Sequence, residues 1–240
     1  MSSATITTSA RLMNFTPQTE EQAMVRKVAV SSFLGNFIEW FDYASYSYFA
    51  TTIALVFFPT DNHTVAMLQT FGVFALSFIL RPIGALFWGS YGDKKGRKAA
   101  LAHSIMFMSG ASFLIGCLPS YSVIGVGAPI LLLLLRMVQG FSASGEYAGA
   151  ATFLGEYAPT KKRGIYCSLI PASTAIGLLA GSTLATLMTA NMNSSAMVGW
   201  GWRVPFLLAG PLGLIVLYIR AKLADSPVYQ SMNDALESKG

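Results

Sequence analysis

Six apolar segments, each about 20 residues long, constrain the fold of this chain more than any other feature of its sequence. They cover residues 28–49, 65–88, 99–118, 128–149, 165–187 and 204–223. An α-helix of about 20 apolar residues crosses the ~30 Å hydrocarbon layer of a bilayer. Charged residues make up only 11% of the 240 residues, whereas a soluble domain carries about 25%. The pattern therefore predicts an all-α, polytopic membrane protein, folded as a bundle of six transmembrane helices.

The apolar segments divide the chain into three parts. Residues 1–25 are polar and rich in Ser and Thr, which predicts a cytoplasmic N-terminal tail without a cleaved signal peptide. Residues 26–223 form the predicted transmembrane bundle. Residues 224–240 are polar and predict a cytoplasmic tail or the start of a central linker.

Positively charged residues lie mostly on one side of the predicted membrane, and this indicates the orientation of the bundle. With the N-terminus in the cytoplasm, 13 of the 16 Lys and Arg residues, Arg220 among them, fall on the cytoplasmic side. Arg203 falls outside, and Arg81 and Arg136 fall within spans. This asymmetry follows the positive-inside rule, so we expect both termini in the cytoplasm and a location in the inner (plasma) membrane. It also explains the net charge of +5, so the expected partner is the lipid bilayer and not a nucleic acid.

The first predicted span carries a polar stripe in its middle. At 1.5 Å per residue, Glu39 lies about 16 Å along its helix, near the midplane of the bilayer. Asp42 is three residues further on and shares this face with Asn36, Tyr43 and Tyr46. Because a charge at mid-bilayer is costly, the stripe must face protein or water. Removal from water and mutual repulsion favour reversible protonation of a carboxylate, which makes Glu39 and Asp42 candidate proton-coupling residues.

Charged residues in two other predicted spans face the same constraint. The fourth span places Arg136, Gln139 and Glu146 on one helical face. We expect Arg136 to face Glu39 across a cavity, and Glu146 to pair with a cation from a loop. Arg81 precedes a proline that kinks the second span, and we expect its side chain to reach toward the cytoplasmic headgroups. A set of buried structural salt bridges is the alternative for all of these charges.

The sequence offers little for catalysis or cofactor binding. Its only two histidines, His63 and His103, have no Cys or acid nearby at the spacing of metal ligands. The two cysteines fall within predicted spans and predict no disulfide framework. We therefore expect no enzymatic activity, no metal site and no cofactor.

The charged stretch GSYGDKKGRK between the second and third segments resembles a motif of major facilitator superfamily transporters, G-x-x-x-D-(R/K)-x-G-R-(R/K). The matching residues are Gly89, Asp93, Lys94, Gly96, Arg97 and Lys98. The stretches RMVQGFSA and GEYAPTKKRG resemble further motifs of the superfamily, the second through Glu156 and Arg163. More specifically, the chain resembles the metabolite:proton symporter family, which includes proline/betaine:proton symporters, through GNFIEWFDY, LRPIGALFWG, GFSASGEYAGA, GWRVPFLLAGPLG and ADSPVY.

The resemblance implies a larger fold and a gate. Superfamily members have twelve spans in two halves, with substrate bound at the midplane between them, and this chain resembles the N-terminal six-helix half. Asp93 and Arg97, with Glu156 and Arg163, would form a cytoplasmic charge network that holds the inward gate shut. The alternative is that the lysines of the motif only fix the orientation and bind anionic lipid headgroups.

The function implied by the resemblance is a proton-coupled symporter. It would import a small polar metabolite, such as proline, betaine or an organic acid, by alternating access. The residues assigned to proton coupling are Glu39, Asp42 and Arg136, and those assigned to substrate binding are Asn36, Tyr43, Tyr46 and Gln139. Its partners would be the substrate, protons, and a second six-helix half or a second copy of the chain. The alternative is a truncated or partner-dependent six-helix subunit with no transport activity of its own.

Overall fold

The computed structural model describes residues 16–223 and residue 231, and short turns and loops join its helices. The helices are α1 (Thr16–Tyr48), α2 (Ala50–Phe57), α3 (His63–Ile79), α4 (Arg81–Lys95), α5 (Arg97–Cys117), α6 (Tyr121–Ile124), α7 (Gly127–Ala143), α8 (Glu146–Tyr157), α9 (Arg163–Cys167), α10 (Leu169–Asn191), α11 (Ser194–Gly199) and α12 (Val204–Ala221). Short 3-10 turns, Thr160–Lys162 and Gly201–Arg203, precede α9 and α12. The described part of the chain is therefore all-α, as the sequence predicts.

Consecutive helices join into six spans. The second to sixth spans are His63–Lys95, Arg97–Cys117, Gly127–Tyr157, Thr160–Asn191 and Gly201–Ala221, each long and apolar enough to cross a membrane. The first span is α1 continued by α2. At 33 residues, α1 is also long enough to cross a membrane. Its polar middle lowers its mean hydropathy, so it does not count among the five spans that are both long and apolar enough.

The two predicted tails are described only in part. Residues 16–25, which the sequence places in the N-terminal tail, form the first turns of α1. Residues 1–15 lie outside the described residues. So do residues 224–240, apart from residue 231.

Two spans are broken near their middle. In the second span, α3 and α4 meet at Leu80, and Pro82 lies in the first turn of α4. Proline has no N–H to continue the helical hydrogen bonds, so the helix is interrupted next to the proline for which the sequence predicts a kink. The fourth span, predicted as one helix, breaks at Ser144 and Gly145 between α7 and α8.

The polar middle of α1 lies between two apolar clusters. The cluster on one side includes Phe49, Phe57 and Trp202. The cluster on the other side includes Val28 and Phe153. Residues 36–43 come between them along α1, so their polar side chains are enclosed deep in the bundle.

Glycines let the first and fifth spans approach closely. A Cβ atom on Gly177 would lie 2.7 Å from the carbonyl oxygen of Phe37, and one on Gly181 would lie 2.6 Å from the Cβ of Ala44. Small residues at such positions allow close packing where lipid supplies no hydrophobic drive between helices. The two glycines, four residues apart in the sequence, therefore have a packing role between α1 and α10.

Gly177→Leu is expected to force the first and fifth spans apart and to lower the free energy of unfolding by about 1–3 kcal/mol. Denaturation in mixed micelles, followed by circular dichroism, measures this loss. Gly72→Leu is the matched control, because no atom lies within 4 Å of a Cβ at Gly72. Equal losses in the two variants would show that the contact at Gly177 contributes nothing specific.

Candidate functional site

Three ion pairs lie inside the bundle, and each joins a carboxylate to an arginine on another span. They are Glu39–Arg81, Asp42–Arg136 and Glu146–Arg220. Five of the six side chains expose 4% of their surface or less, whereas Arg81 exposes 26%. Pairing offsets much of the cost of removing these charges from water, so it explains how the bundle keeps them.

Asp42 has hydrogen-bond donors on both carboxylate oxygens. Nη1 of Arg136 donates to Oδ2 at 2.7 Å. Oδ1 accepts from the hydroxyl of Ser112 at 2.8 Å and from Nε2 of Gln139 at 3.1 Å. The structure therefore brings three predicted site residues together with Ser112, which the sequence does not single out.

Aromatic rings surround the guanidinium of Arg136. Its central carbon lies 3.7 Å from the ring centre of Tyr46, with Phe206 and Phe74 within 6 Å, at 5.7 and 5.9 Å. The Tyr46 hydroxyl donates to the carbonyl of Thr70 at 2.9 Å. Since Nε and Nη2 of Arg136 have no hydrogen-bond partner within the described residues, the ring faces stabilise much of its charge.

Arg81 binds two polar groups of α1. Its Nη2 donates to Oε1 of Glu39 and to the hydroxyl of Tyr43. The guanidinium carbon lies 5.0 Å from the ring centre of Tyr43 and 4.8 Å from that of Phe78. Two aromatic faces and the Glu39 carboxylate therefore stabilise the charge of Arg81.

Two expectations about these arginines are wrong. Arg136 does not face Glu39, because Asp42 lies one helical turn further along α1 and meets Arg136 instead. Arg81 does not reach the cytoplasmic headgroups. It lies 14 residues before Lys95, the end of its span, or about 21 Å along a helix, and it turns inward to Glu39.

Several polar atoms around the Glu39–Arg81 pair have no hydrogen-bond partner in the described part of the chain. They are Oε2 of Glu39, Nε of Arg81 and Nε1 of Trp40. Trp40 packs edge-on against Tyr43, with ring centres 5.8 Å apart, and Phe78 is 40% exposed. Buried polar atoms are normally bonded, so this group is suited to bind a proton or a small polar ligand. No cluster of three or more His, Cys, Asp or Glu side chains in residues 16–223 is placed to hold a metal ion.

Glu146 and Arg220 form the most completely bonded pair. Nη2 of Arg220 donates to Oε1 of Glu146, and Nη1 donates to Oε2 at 2.9 Å. Oε2 also accepts from Ser104 at 3.1 Å, and Arg220 donates to carbonyl oxygens of the first and third spans. A Cβ atom on Gly35 would collide with both side chains, so the pair needs glycine there. The expected loop cation for Glu146 is wrong, since Arg220 lies in the last turn of α12 and is 1% exposed.

Asn36 is separated from the ion pairs. Its amide nitrogen contacts the carbonyl of Ile170 at 3.0 Å, the hydroxyl of Ser173 at 2.8 Å and the hydroxyl of Thr174 at 2.9 Å. All three partners belong to the fifth span. Asn36 therefore ties α1 to α10, unlike the other predicted site residues of α1.

The motif between the second and third spans forms a local turn. Nη2 of Arg97 lies 2.9 Å from Oδ1 of Asp93, which is 64% exposed. Gly96 connects α4 to α5 with a φ of 96°, a conformation that side-chain-bearing residues rarely adopt. Gly89 lies inside α4, so of the two motif glycines only Gly96 forms the turn.

The other two residues of the predicted gating network, Glu156 and Arg163, lie near the junction of α8 and α9. Glu156 is partly buried near the end of α8, and its Oε2 has no partner within the described residues. Arg163 is exposed at the start of α9. No ion pair in the described part of the chain joins either residue to Asp93. Lys94 and Lys98 each have an interaction partner. The four-residue network remains a prediction.

Sequence reasoning missed two arginines of the site. The charge pattern predicts Arg220 on the cytoplasmic side and the side chain of Arg81 directed toward the headgroups, although both residues lie inside apolar segments. The signal was present, because each acid within a span needs a cation or a cluster of donors. Ser112 and Ser104 carry no such signal, since hydroxyls are common in membrane helices.

Residues 27–239 match the family model of the sugar (and other) transporters. The chain belongs to this family. Two of its curated relatives, the proline/betaine transporters of Salmonella typhimurium and Escherichia coli, are 42% identical over 217 residues, which are 90% of this chain and 43% of theirs. The glycine betaine/proline/ectoine/pipecolic acid transporter OusA of Dickeya dadantii matches with the same identity and coverage. This sugar-transporter family member therefore spans less than half the length of these relatives.

Solved structures of the xylose transporter XylE from Escherichia coli share the fold. The partially occluded inward open form matches with a TM-score of 0.78 and 17% identity, over 88% of this chain and 52% of the other. The major facilitator superfamily proton:xylose symporter XylE with a bound bromo-deoxyglucose matches with a TM-score of 0.77 and 16% identity, over 87% and 46%. The predicted superfamily, the six-helix half fold and the multi-pass membrane character are confirmed. The relatives are transporters, in agreement with the non-enzyme prediction.

Proposed function

We propose that this chain is the N-terminal half of a proton-coupled symporter, which imports a small polar metabolite by alternating access. Membership of the sugar (and other) transporter family supports transport. The relatives' names support a substrate such as proline or betaine, with organic acids as the other class. Because the chain spans 43% of those relatives, a second six-helix half or a second copy would complete the carrier.

The observation that carries this proposal is the partial exposure of one ion pair inside the bundle. Arg81 lies within a span and exposes 26% of its side chain, while its partner Glu39 exposes 2%. A guanidinium is not left facing hydrocarbon. The exposed side of Arg81 would therefore face water, a ligand or another protein segment, as a site between two halves of a carrier requires.

The proton site is one of the two acids of α1, and the contacts favour Glu39. Among the described residues, Oε2 of Glu39 has no donor, whereas both oxygens of Asp42 are bonded. Arg136 holds Asp42 in this enclosed position. Tyr43 lies against the Glu39–Arg81 pair and would contact substrate directly.

The other proposed substrate-binding residues would act only after the helices move. Gln139 and Tyr46 are buried beside Asp42 and Arg136, and Asn36 is held by the fifth span. Alternating access supplies such movement, since one half rocks against the other around the binding site. Each of these side chains would then offer hydrogen bonds to the substrate.

The cytoplasmic end of the bundle would form the gate. We place both termini in the cytoplasm and the protein in the inner membrane, because the loop cations lie on that side. Asp93, Arg97, Glu156 and Arg163 would close the gate when the carrier faces outward. The Asp93–Arg97 contact supports the first half of this network.

A truncated or partner-dependent subunit without transport of its own is the second candidate. The 43% coverage of the relatives favours it. It predicts a folded chain that reaches the membrane but moves no solute.

Uptake of radiolabelled proline, glycine betaine, oxoglutarate and citrate by cells producing these 240 residues tests the proposal. Each assay is run with and without an uncoupler that collapses the proton gradient, and cells lacking the chain are the control. Uncoupler-sensitive uptake of any one compound is the expected result. A chain that is folded in the membrane but gives no uptake, alone or with a fused second half, would contradict the symporter and favour the second candidate.

A further inference from the structure

We propose that Arg81 binds the carboxylate of the substrate, and that protonation of Glu39 releases Arg81 for this contact. The inference rests on the proposed symporter and names the substrate class of its site. The substrate would be a small molecule with one carboxylate and a positively charged nitrogen. Trp40 and Phe78 would pack against the nitrogen.

Among the three arginines that pair with acids inside the described bundle, Arg81 is the one that a ligand can reach without unpacking the helices. Arg136 and Arg220 expose no more than 1% of their surface, while Arg81 exposes 26%. The break at Leu80 places Arg81 at the start of α4. Its Nε is buried and has no hydrogen-bond partner in the described residues, so the protein does not use the full donor capacity of this partly exposed guanidinium, whose planar fork suits a carboxylate.

Glu39 holds Arg81 through a single carboxylate oxygen. Oε1 accepts from Arg81, and Oε2 has no partner among the described residues. The other charged or titratable groups around Glu39 are Tyr43 and Asp42 on α1 and Glu146 on α8. Asp42 and Glu146 have buried arginine partners of their own, so Glu39 is the acid whose partner a ligand can take over.

The exchange keeps the charges inside the bundle compensated. A proton from the aqueous phase binds Oε2 of Glu39 and neutralises the carboxylate, which leaves the Arg81 charge without a partner. A substrate carboxylate then pairs with Arg81, and on the other side of the membrane both substrate and proton leave. A cation without a carboxylate would add to the Arg81 charge, which is unfavourable in this enclosed setting.

Phe78 borders the guanidinium, and Trp40 lies against Tyr43, which also contacts it; both rings suit a cationic nitrogen. Phe78 lies 4.8 Å from the Arg81 guanidinium carbon and is 40% exposed. Trp40 is half-buried against Tyr43 on the same side of α1. Alkylated ammonium groups bind aromatic faces well, because their diffuse charge is attracted to the ring quadrupole.

Three isosteric probes test the charge requirement. Binding of glycine betaine, choline and tert-butylacetate to the full chain in lipid nanodiscs is measured by equilibrium dialysis. Choline has the cation without the carboxylate, and tert-butylacetate has the carboxylate without the cation. We expect choline to bind about 10- to 100-fold more weakly than betaine, and tert-butylacetate about 3- to 30-fold more weakly.

Variants of the chain test which side chains contact the substrate. Arg81→Gln is expected to weaken betaine binding about 10- to 100-fold, and Phe78→Ala about 3- to 30-fold. Glu39→Gln/Arg81→Gln removes both charges and tests the same contact in a chain without an unpaired buried acid. The controls are Arg26→Gln, an exposed arginine in the N-terminal part of α1, and Phe113→Ala, which matches Phe78 at 40% exposure.

Each outcome decides the inference. Betaine binding that is unchanged in the folded double variant would overturn it, while uncoupler-sensitive uptake by the wild-type chain would leave the symporter intact. Equal binding of choline and betaine would overturn the carboxylate contact. No saturable betaine binding to the folded wild-type chain would also overturn it, since all the proposed contacts belong to this chain.

Discussion

Glu39→Gln is expected to abolish the dependence of substrate binding on pH while preserving tight binding. Glutamine is neutral and close in shape to protonated glutamate, so Arg81 would stay released at every pH. In the wild type, binding should tighten as the pH falls, because substrate binds the form that has taken up a proton. The lost coupling should correspond to about a 5- to 150-fold change in affinity. Equilibrium binding of glycine betaine from acid to neutral pH measures it, and uncoupler-sensitive accumulation should disappear together with it.

Asp42→Asn is the matched control for this result. It makes the same change of charge three residues away, in a pair whose two carboxylate oxygens are both bonded. We expect its binding to keep the dependence on pH. Loss of that dependence in Asp42→Asn, and not in Glu39→Gln, would place the proton site at Asp42. If neither variant altered it, neither acid would couple protons.

The sequence predicted the polar stripe of α1 correctly because one helix determines it. Residues three and four apart lie on one face of any α-helix, and hydrocarbon requires that face to turn inward. Glu39, Asp42, Tyr43 and Tyr46 are all buried, as this reasoning predicts. The proline in the second span is a local signal of the same kind.

The pairing of the charges could not be read from the sequence. The face of a helix indicates the direction in which a charged side chain points. Which residue it pairs with also depends on the depth and rotation of the neighbouring span in the membrane. Arg136 meets Asp42 and not Glu39 because of a shift of about one turn, or ~5 Å, between α1 and α7. Segment boundaries are uncertain by a similar distance, so the apolar pattern could not distinguish the two acids.

Arg220 shows the same uncertainty at the end of a span. It lies near the end of the segment 204–223 and was assigned to the cytoplasmic side. The structure turns it into the bundle, where Glu146 and two backbone carbonyls accept its hydrogen bonds. A difference of one helical turn in depth therefore decides whether Arg220 lies at the cytoplasmic surface or forms a buried ion pair.

Arg220→Met is expected to lower the free energy of unfolding by about 3–5 kcal/mol, the largest loss among these variants. It would leave the Glu146 carboxylate, which is 1% exposed, buried without its cation. Glu146→Leu/Arg220→Met removes both charges and should recover most of the loss, because apolar side chains of similar volume can replace a buried pair at little cost. Denaturation in mixed micelles compares the variants, and Arg26→Met, at an exposed site, should change the value by less than about 0.5 kcal/mol.

The double variant also separates the roles of two ion pairs. The Glu146–Arg220 pair has donors on both carboxylate oxygens, and neither side chain is exposed. We therefore expect it to act as a fixed tie between the fourth and sixth spans, while the Glu39–Arg81 pair opens to bind a proton and substrate. Betaine binding in Glu146→Leu/Arg220→Met should keep its dependence on pH. A loss of that dependence would show that the proton is shared between Glu39 and Glu146, and that the tie itself takes part in coupling.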